Sequence, residues 1–123
     1  MSKVQPMQTQ AAPISLTVEV ERKGEQCIVH CRGRLVSGVC SFFVKKVHGL
    51  VPECKLIVLD LTGLEMIDSM GLGALVRVHV ACKRSGCELR LINLGPRVKE
   101  MLGLANLLGI FAEMGERGSI THF

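Results

Sequence analysis

The chain has 123 residues, 48% of them apolar and 21% charged, with a net charge of +4. That length suits one domain, and its core must be aliphatic because the four aromatic residues are all Phe. The totals argue against a membrane span, since no apolar run reaches the roughly 18–20 residues required. They also argue against a nucleic-acid binder: the basic residues are scattered, and no Tyr or Trp can stack on bases.

Residues 1–13, MSKVQPMQTQAAP, carry one Lys, two Pro and no apolar block. They read as a flexible leader and not as a secretory signal, so a cytoplasmic protein is expected. SLTVEVER at 15–22 alternates, with Leu16, Val18 and Val20 on one side and Thr17, Glu19 and Glu21 on the other. This is the pattern of a half-buried strand. KGE at 23–25 turns the chain into QCIVHCRG at 26–33, and the short link predicts an antiparallel hairpin. GRLVSG at 33–38 reads as a loop.

Apolar residues at 39, 43, 44, 47 and 50 predict a helix, and Pro52 ends it. KLIVLDL at 55–61 predicts a central strand, apolar on both faces for much of its length. A second helix follows over about 69–84, then a strand, ELRLINL, at 88–94. Pro96 suits the first turn of a third helix, PRVKEMLGL. ANLLGIFAEM at 105–114 is ambiguous and is expected to finish a helix and add a short edge strand. Residues 115–123 read as a weakly ordered tail. The order β-β-α-β-α-β-α predicts an α/β fold, with the two strands around the second helix parallel.

The six cysteines include no Cys-x-x-Cys pair. Without a secretion signal they read as reduced core fillers. Their spacing with the four His residues fits no common zinc site. No metal or other cofactor is expected.

The stretch IDSMGLG at 67–73 puts an acid, an alcohol and two glycines between two apolar runs. On a helical wheel, Gly71, Leu72, Leu75, Val78, His79 and Cys82 gather on the side expected to face the sheet. Met70, Gly73, Ala74, Arg77, Ala81 and Arg84 gather on the other. That outer side is small and apolar apart from two Arg, which fits a docking face or, failing that, an ordinary neutral surface. Asp68 and Ser69 stand at the helix start, where either side chain can cap a free amide. A phosphoryl group on Ser69 would also be tolerated there, because the helix N-terminus favours an anion.

No catalytic constellation is present. Gly71-Leu72-Gly73 lacks the third glycine of a dinucleotide fingerprint, since Val76 holds that place. Ser69 and His79 lie ten residues apart on one helix, roughly 15 Å, too far for a nucleophile and its base. His79 reads as a core or boundary residue. Asp60 and Asp68 alone do not specify a cation site.

LIVLDLTGLEMID, followed directly by SMGLGALV and later by LRLINLGPRVKEMLGL, resembles the STAS domain. More narrowly, it resembles the stand-alone bacterial anti-sigma factor antagonists. The likeness covers residues 14–114 and is most specific from Asp60 to Leu75. It implies a mixed four- to five-stranded sheet with helices packed mainly on one face.

The resemblance further implies a binding protein and not an enzyme. Ser69 would be the phosphorylation site, with Asp68 its acidic neighbour. The unphosphorylated protein would bind an anti-sigma factor with serine kinase activity and so free the sigma factor. Phosphorylation would end binding, and a PP2C-type phosphatase would restore the serine. Met70, Gly73, Ala74 and Arg77 would face the partner, bordered by Arg34 and Val36 of the loop from Gly33 to Gly38. Many antagonists read Gly-Glu-Leu-Asp in that loop. Here it reads Gly33-Arg34-Leu35-Val36, with a cation and an apolar residue in place of two acids. Two other uses of the fold stay open: an accessory subunit of a membrane lipid- or anion-transport complex, and a component of a stress-signalling scaffold.

Overall fold

The computed structural model of the protein describes residues 15–105. Gly24, at φ +62°, turns β1 (Leu16–Lys23) into β2 (Gln26–Leu35), and the two pair antiparallel from Leu16↔Gly33 to Lys23↔Gln26. The chain continues through α1 (Cys40–His48), a short 3-10 turn (Val51–Glu53), β3 (Leu56–Ile67), α2 (Ser69–Arg84), β4 (Glu88–Ile92) and α3 (Pro96–Leu104). The strands form one mixed sheet in the order β1-β2-β3-β4, with β2/β3 and β3/β4 parallel. This is the expected α/β architecture, four-stranded among the described residues.

Alternation along the strands builds the core. Cys27, Val29 and Cys31 of β2, Ile57, Leu59 and Leu61 of β3, and Leu89 and Leu91 of β4 are at most 2% exposed. They share one cluster with Phe43 and Val47 of α1, Leu75 and Val78 of α2, and Val98 and Leu102 of α3. Burying each such large side chain stabilises the fold by roughly 1.5–3 kcal/mol. The opposite face mixes polar residues that are at least partly exposed, among them Glu19, Glu21, His30, Arg32 and Asp60, with apolar Ile28, Val58 and Ile92.

Three expectations need correction. β2 does not end at Gly33: pairing continues through Arg34↔Met66 and Leu35↔Ile67, so the loop is confined to residues 36–39. β3 likewise runs to Ile67, through the turn-like Thr62-Gly63. The register explains both extensions. His30 faces Asp60 and Arg32 faces Gly63, so β3 carries an extra residue there. A bulge absorbs Thr62 and Gly63 without ending the strand.

The third correction concerns sulfur. Cys27 of β2 and Cys54, just before β3, form a disulfide across a Cα separation of 6.4 Å. They lie 27 residues apart, and only the parallel pairing of β2 and β3 brings them together. Cys31, Cys40, Cys82 and Cys87 are free and buried. Burial pushes the Cys31 and Cys82 thiols up to about 12. The leader at 1–13, the tail at 115–123 and, apart from Ala105, the expected helix end and short edge strand of 105–114 lie outside the described residues.

Candidate functional site

β3 delivers the chain to Asp68, which is extended at φ −107° and ψ −175° and is the N-cap of α2. One carboxylate oxygen accepts the Gly71 N–H at 2.8 Å, and the other accepts the Ser37 N–H at 2.9 Å. The Asp68 N–H donates to the Leu35 carbonyl at 3.3 Å. A single residue thus ties the end of β2 and the loop after it to the start of α2. Partial burial raises the Asp68 pKa, but the N–H groups of Ser37, Gly71 and Met70 outweigh it and leave the pKa lowered.

Asp68 does the capping, so the two residues weighed for that task divide. Ser69 takes the first helical position and is exposed. Its hydroxyl is not committed to the cap, and it sits where helix amides and dipole favour an anion.

The two glycines also divide. A Cβ at Gly71 would collide with the Leu35 carbonyl and with Ile67, so only glycine lets α2 start this close to the end of β2. A Cβ at Gly73 would meet nothing within 4 Å. Gly71 therefore serves packing, while Gly73 leaves a smooth exposed surface.

Around Ser69, Met70 is 58% exposed, Gly73, Arg34 and Arg77 are exposed, and Val36 is half-buried. Ala74 departs from its expected place on the partner-facing side: it is 1% exposed and belongs to the core cluster. It lies about 100° from Leu75 on the wheel, at the flank of the buried arc, and α1 packs against α2. A neighbouring helix packed alongside α2 can widen the buried arc beyond what the sheet alone would cover. Met66, 39% exposed and in register with Arg34, adds an apolar side chain to this corner. Its place follows from the extension of β3, which the turn-like Thr62-Gly63 concealed.

A second polar group lies on the open sheet face. His30 Nδ1 is 3.0 Å from Asp60 Oδ2, and His30 Nε2 is 3.1 Å from Glu21 Oε1. Asp60 Oδ1 also accepts from the Thr62 N–H, the Thr62 hydroxyl and Asn93 Nδ2, at 3.1, 2.6 and 3.1 Å. Asn93 reaches it from a left-handed backbone at φ +59°. The hydrogen bond to Glu21 leads in raising the His30 pKa, against some burial and with help from Asp60. Burial raises the Asp60 pKa, but the bonds from Thr62, Asn93 and His30 outweigh it and leave it lowered. The network spans β1, β2, β3 and the residue after β4, so its work is to tie strands together. Nothing local in the sequence marks the network: only the parallel register sets His30 opposite Asp60.

Asp60 and Asp68 belong to these separate groups. Among the described residues no cluster of three His, Cys, Asp or Glu is placed to hold a metal ion. No described helix is long and apolar enough to cross a membrane. His79 is half-buried on α2.

The STAS domain family model matches residues 17–117. No curated protein matches the chain by sequence. An anti-sigma factor antagonist from Mycobacterium paratuberculosis superposes with a TM-score of 0.71 at 21% identity, covering 83% of this chain and 87% of its own. The Bacillus cell fate determinant SpoIIAA, in its phosphorylated form, gives a TM-score of 0.63 at 16% identity, covering 77% and 87%. The murine anion transporter Slc26a9 gives 0.63 at 19% identity, over 72% of this chain but 15% of the transporter. At these identities the structural likeness is one of fold, and the family match extends it to sequence: the chain belongs to the STAS domain family.

Proposed function

We propose that the protein is an anti-sigma factor antagonist that works as a phosphorylation switch. Unphosphorylated, it docks an anti-sigma factor with serine kinase activity through the exposed residues around Ser69: Met70, Gly73 and Arg77 of α2, with Arg34 and Val36 beside them. The kinase transfers the γ-phosphoryl group of ATP to the Ser69 hydroxyl oxygen. ADP leaves, and the hydroxyl proton passes to a base of the kinase. The modification adds about −1.5 to −2 charges at neutral pH. The helix N-terminus accommodates that charge, whereas an interface closed over Met70 and Gly73 cannot desolvate it. A PP2C-type phosphatase returns the hydroxyl by hydrolysis.

The observation that carries this reading is the division of labour at the start of α2: Asp68 holds the cap while Ser69 is exposed beside it. Support also comes from the phosphorylated form of SpoIIAA, which shares the fold.

A second reading is docking within an anion-transport complex, favoured by Slc26a9, whose TM-score of 0.63 equals that of phosphorylated SpoIIAA. One experiment separates the two. The full chain is incubated with ATP and purified candidate anti-sigma kinases from the same cell, and phosphosites are mapped by mass spectrometry. The switch requires modification at Ser69 and loss of kinase binding in Ser69→Asp. Binding to a transport protein that ignores Ser69→Asp would replace it with the second reading.

A further inference from the structure

The exposed side of α2 has a regular composition. Met70, Gly73, Arg77, Val80 and Arg84 are all exposed, Met70 at 58% and Val80 at 44%. Their spacing is three, four, three and four residues, and they fall within about 80° of one another on the helical wheel. That is the spacing of a seam that receives another helix. Here Met70, Gly73 and Val80 share the seam with two cations, Arg77 and Arg84, which are one heptad apart.

The charged residues of α1 and α2 share one sign, with Asp68 at the N-cap the nearest acid. α1 and α2 together carry Lys45, Lys46, Arg77, Lys83 and Arg84 and no Asp or Glu. All five cations are exposed, and none is in an ion pair among the described residues. Elsewhere several cations are paired, Arg22 with Glu53, Lys55 with Glu25 and Arg90 with Glu88, while Arg32 and Arg34 of β2 are exposed like those of the helices. α1 connects the parallel pair β2 and β3, and α2 the parallel pair β3 and β4. Both helices therefore run against the strands, and their last turns, bearing Lys45, Lys46, Lys83 and Arg84, end at the same pole. Favourable interaction with the helix dipoles accounts for cations in the last turns. It does not account for Arg77 in mid-helix, nor for the absence of every acid from both helices.

From this charge complementarity and seam spacing, we infer that the outer stripe of α2 receives an acidic amphipathic helix of a partner protein. Carboxylates one heptad apart meet Arg77 and Arg84, and apolar side chains cover Met70 and Val80. The remaining cations of α1 and α2 steer the approach. A nucleic acid is the poorer fit, since no exposed aromatic side chain lies on either helix. The exposed apolar residues alternating with cations also suit a patterned protein surface better than a uniform anionic lipid surface. The inference rests on the docking role proposed for α2 and adds the chemistry of the partner.

The test uses the full chain and a synthetic 21-residue helical peptide with Glu and Leu at alternating seam positions. A Lys-for-Glu peptide, a duplex DNA and phosphatidylglycerol vesicles serve as comparisons. The Glu peptide should bind, shift the amide resonances of α2, and lose affinity steeply as salt rises. Arg77→Glu with Arg84→Glu should weaken binding at least tenfold, while Arg32→Glu with Arg90→Glu leaves it unchanged. Circular dichroism confirms that each variant folds. No binding of the Glu peptide, equal binding of the Lys peptide, or the same Arg77/Arg84-dependent binding of DNA or vesicles overturns the inference. Ser69→Ala should bind the peptide as the parent does, which separates the two proposals. Peptide binding without phosphorylation removes the switch and keeps the seam, and phosphorylation without peptide binding does the reverse.

Discussion

Asp60 and Asp68 sit eight residues apart, in the middle of β3 and just past its end, and each accepts several hydrogen bonds, yet they do different work. Asp60 is held largely by side chains of His30, Thr62 and Asn93, which come from other strands or cross a bulge. Every group around it is spent on the others. Asp68 is held by backbone N–H groups of Ser37 and Gly71. No neighbouring side chain is consumed, so Ser69 is left exposed. A carboxylate satisfied by side chains locks a sheet, whereas one satisfied by amides shapes a corner and leaves its neighbour available for chemistry.

Substitutions can break or sharpen this contrast. The largest effect is expected at Gly71, which holds the Asp68 corner closed. Gly71→Ala should destabilise by about 3 kcal/mol in urea unfolding, because the new methyl meets a backbone carbonyl. Gly73→Ala, two residues on, should stabilise by roughly 0.5–1 kcal/mol, since it only improves helix propensity. Equal effects at the two sites would remove the packing account of the corner.

Next come the carboxylates themselves. Asp68→Ala should cost about 1–2 kcal/mol through the lost cap, and Asp60→Ala should cost about 1 kcal/mol, since its network is partly solvated. The contrast predicts that only the Asp68 variant also changes the rate at which Ser69 is phosphorylated.

The pH dependence is subtler: both sites share an acid limb, and His30 adds a limb of opposite sign at the Asp60 site. Both Asp pKa values lie below the ordinary 3.8. Each contributes stability that is present above that value and lost as pH falls through the lowered one. The His30 pKa lies above 6.5, so its contribution is full below 6.5 and lost as pH rises through the raised value. Asp60→Asn should flatten the acid limb and weaken the His30 limb that begins above 6.5, which Glu21 also supports, whereas Asp68→Asn should flatten only the acid limb. Unfolding midpoints from pH 2 to 9 measure this directly. The smallest effect is expected at Ser69: Ser69→Ala should change stability by less than about 0.5 kcal/mol.

Much of this arrangement was legible in the sequence because it rests on periodicity. The alternation of Leu16 to Glu21, the spacing of Phe43, Val44 and Val47, and Pro96 at a helix start each placed an element. The start of α2 at Ser69 was also readable, because Asp-Ser before an apolar helix is a capping signal. What escaped detection depended on partners distant in the chain. Thr62-Gly63 resembles a turn until β2 is laid beside it and the bulge appears. Cys27 and Cys54 have no local signal of pairing. Ala74 lies at the flank of the sheet-facing arc, and its burial depends on how the elements pack around α2. The split between Gly71 and Gly73 required the position of the Leu35 carbonyl. His30 and Asp60 look unrelated until the parallel register brings them opposite each other.

The most direct measurement is the affinity of the partner kinase for the full chain and for Ser69→Asp, alongside phosphosite mapping after incubation with ATP. The account predicts phosphate on Ser69 alone, and binding by the parent chain that falls at least tenfold in Ser69→Asp with the fold intact. Phosphate on another residue, or equal binding by both proteins, would contradict it.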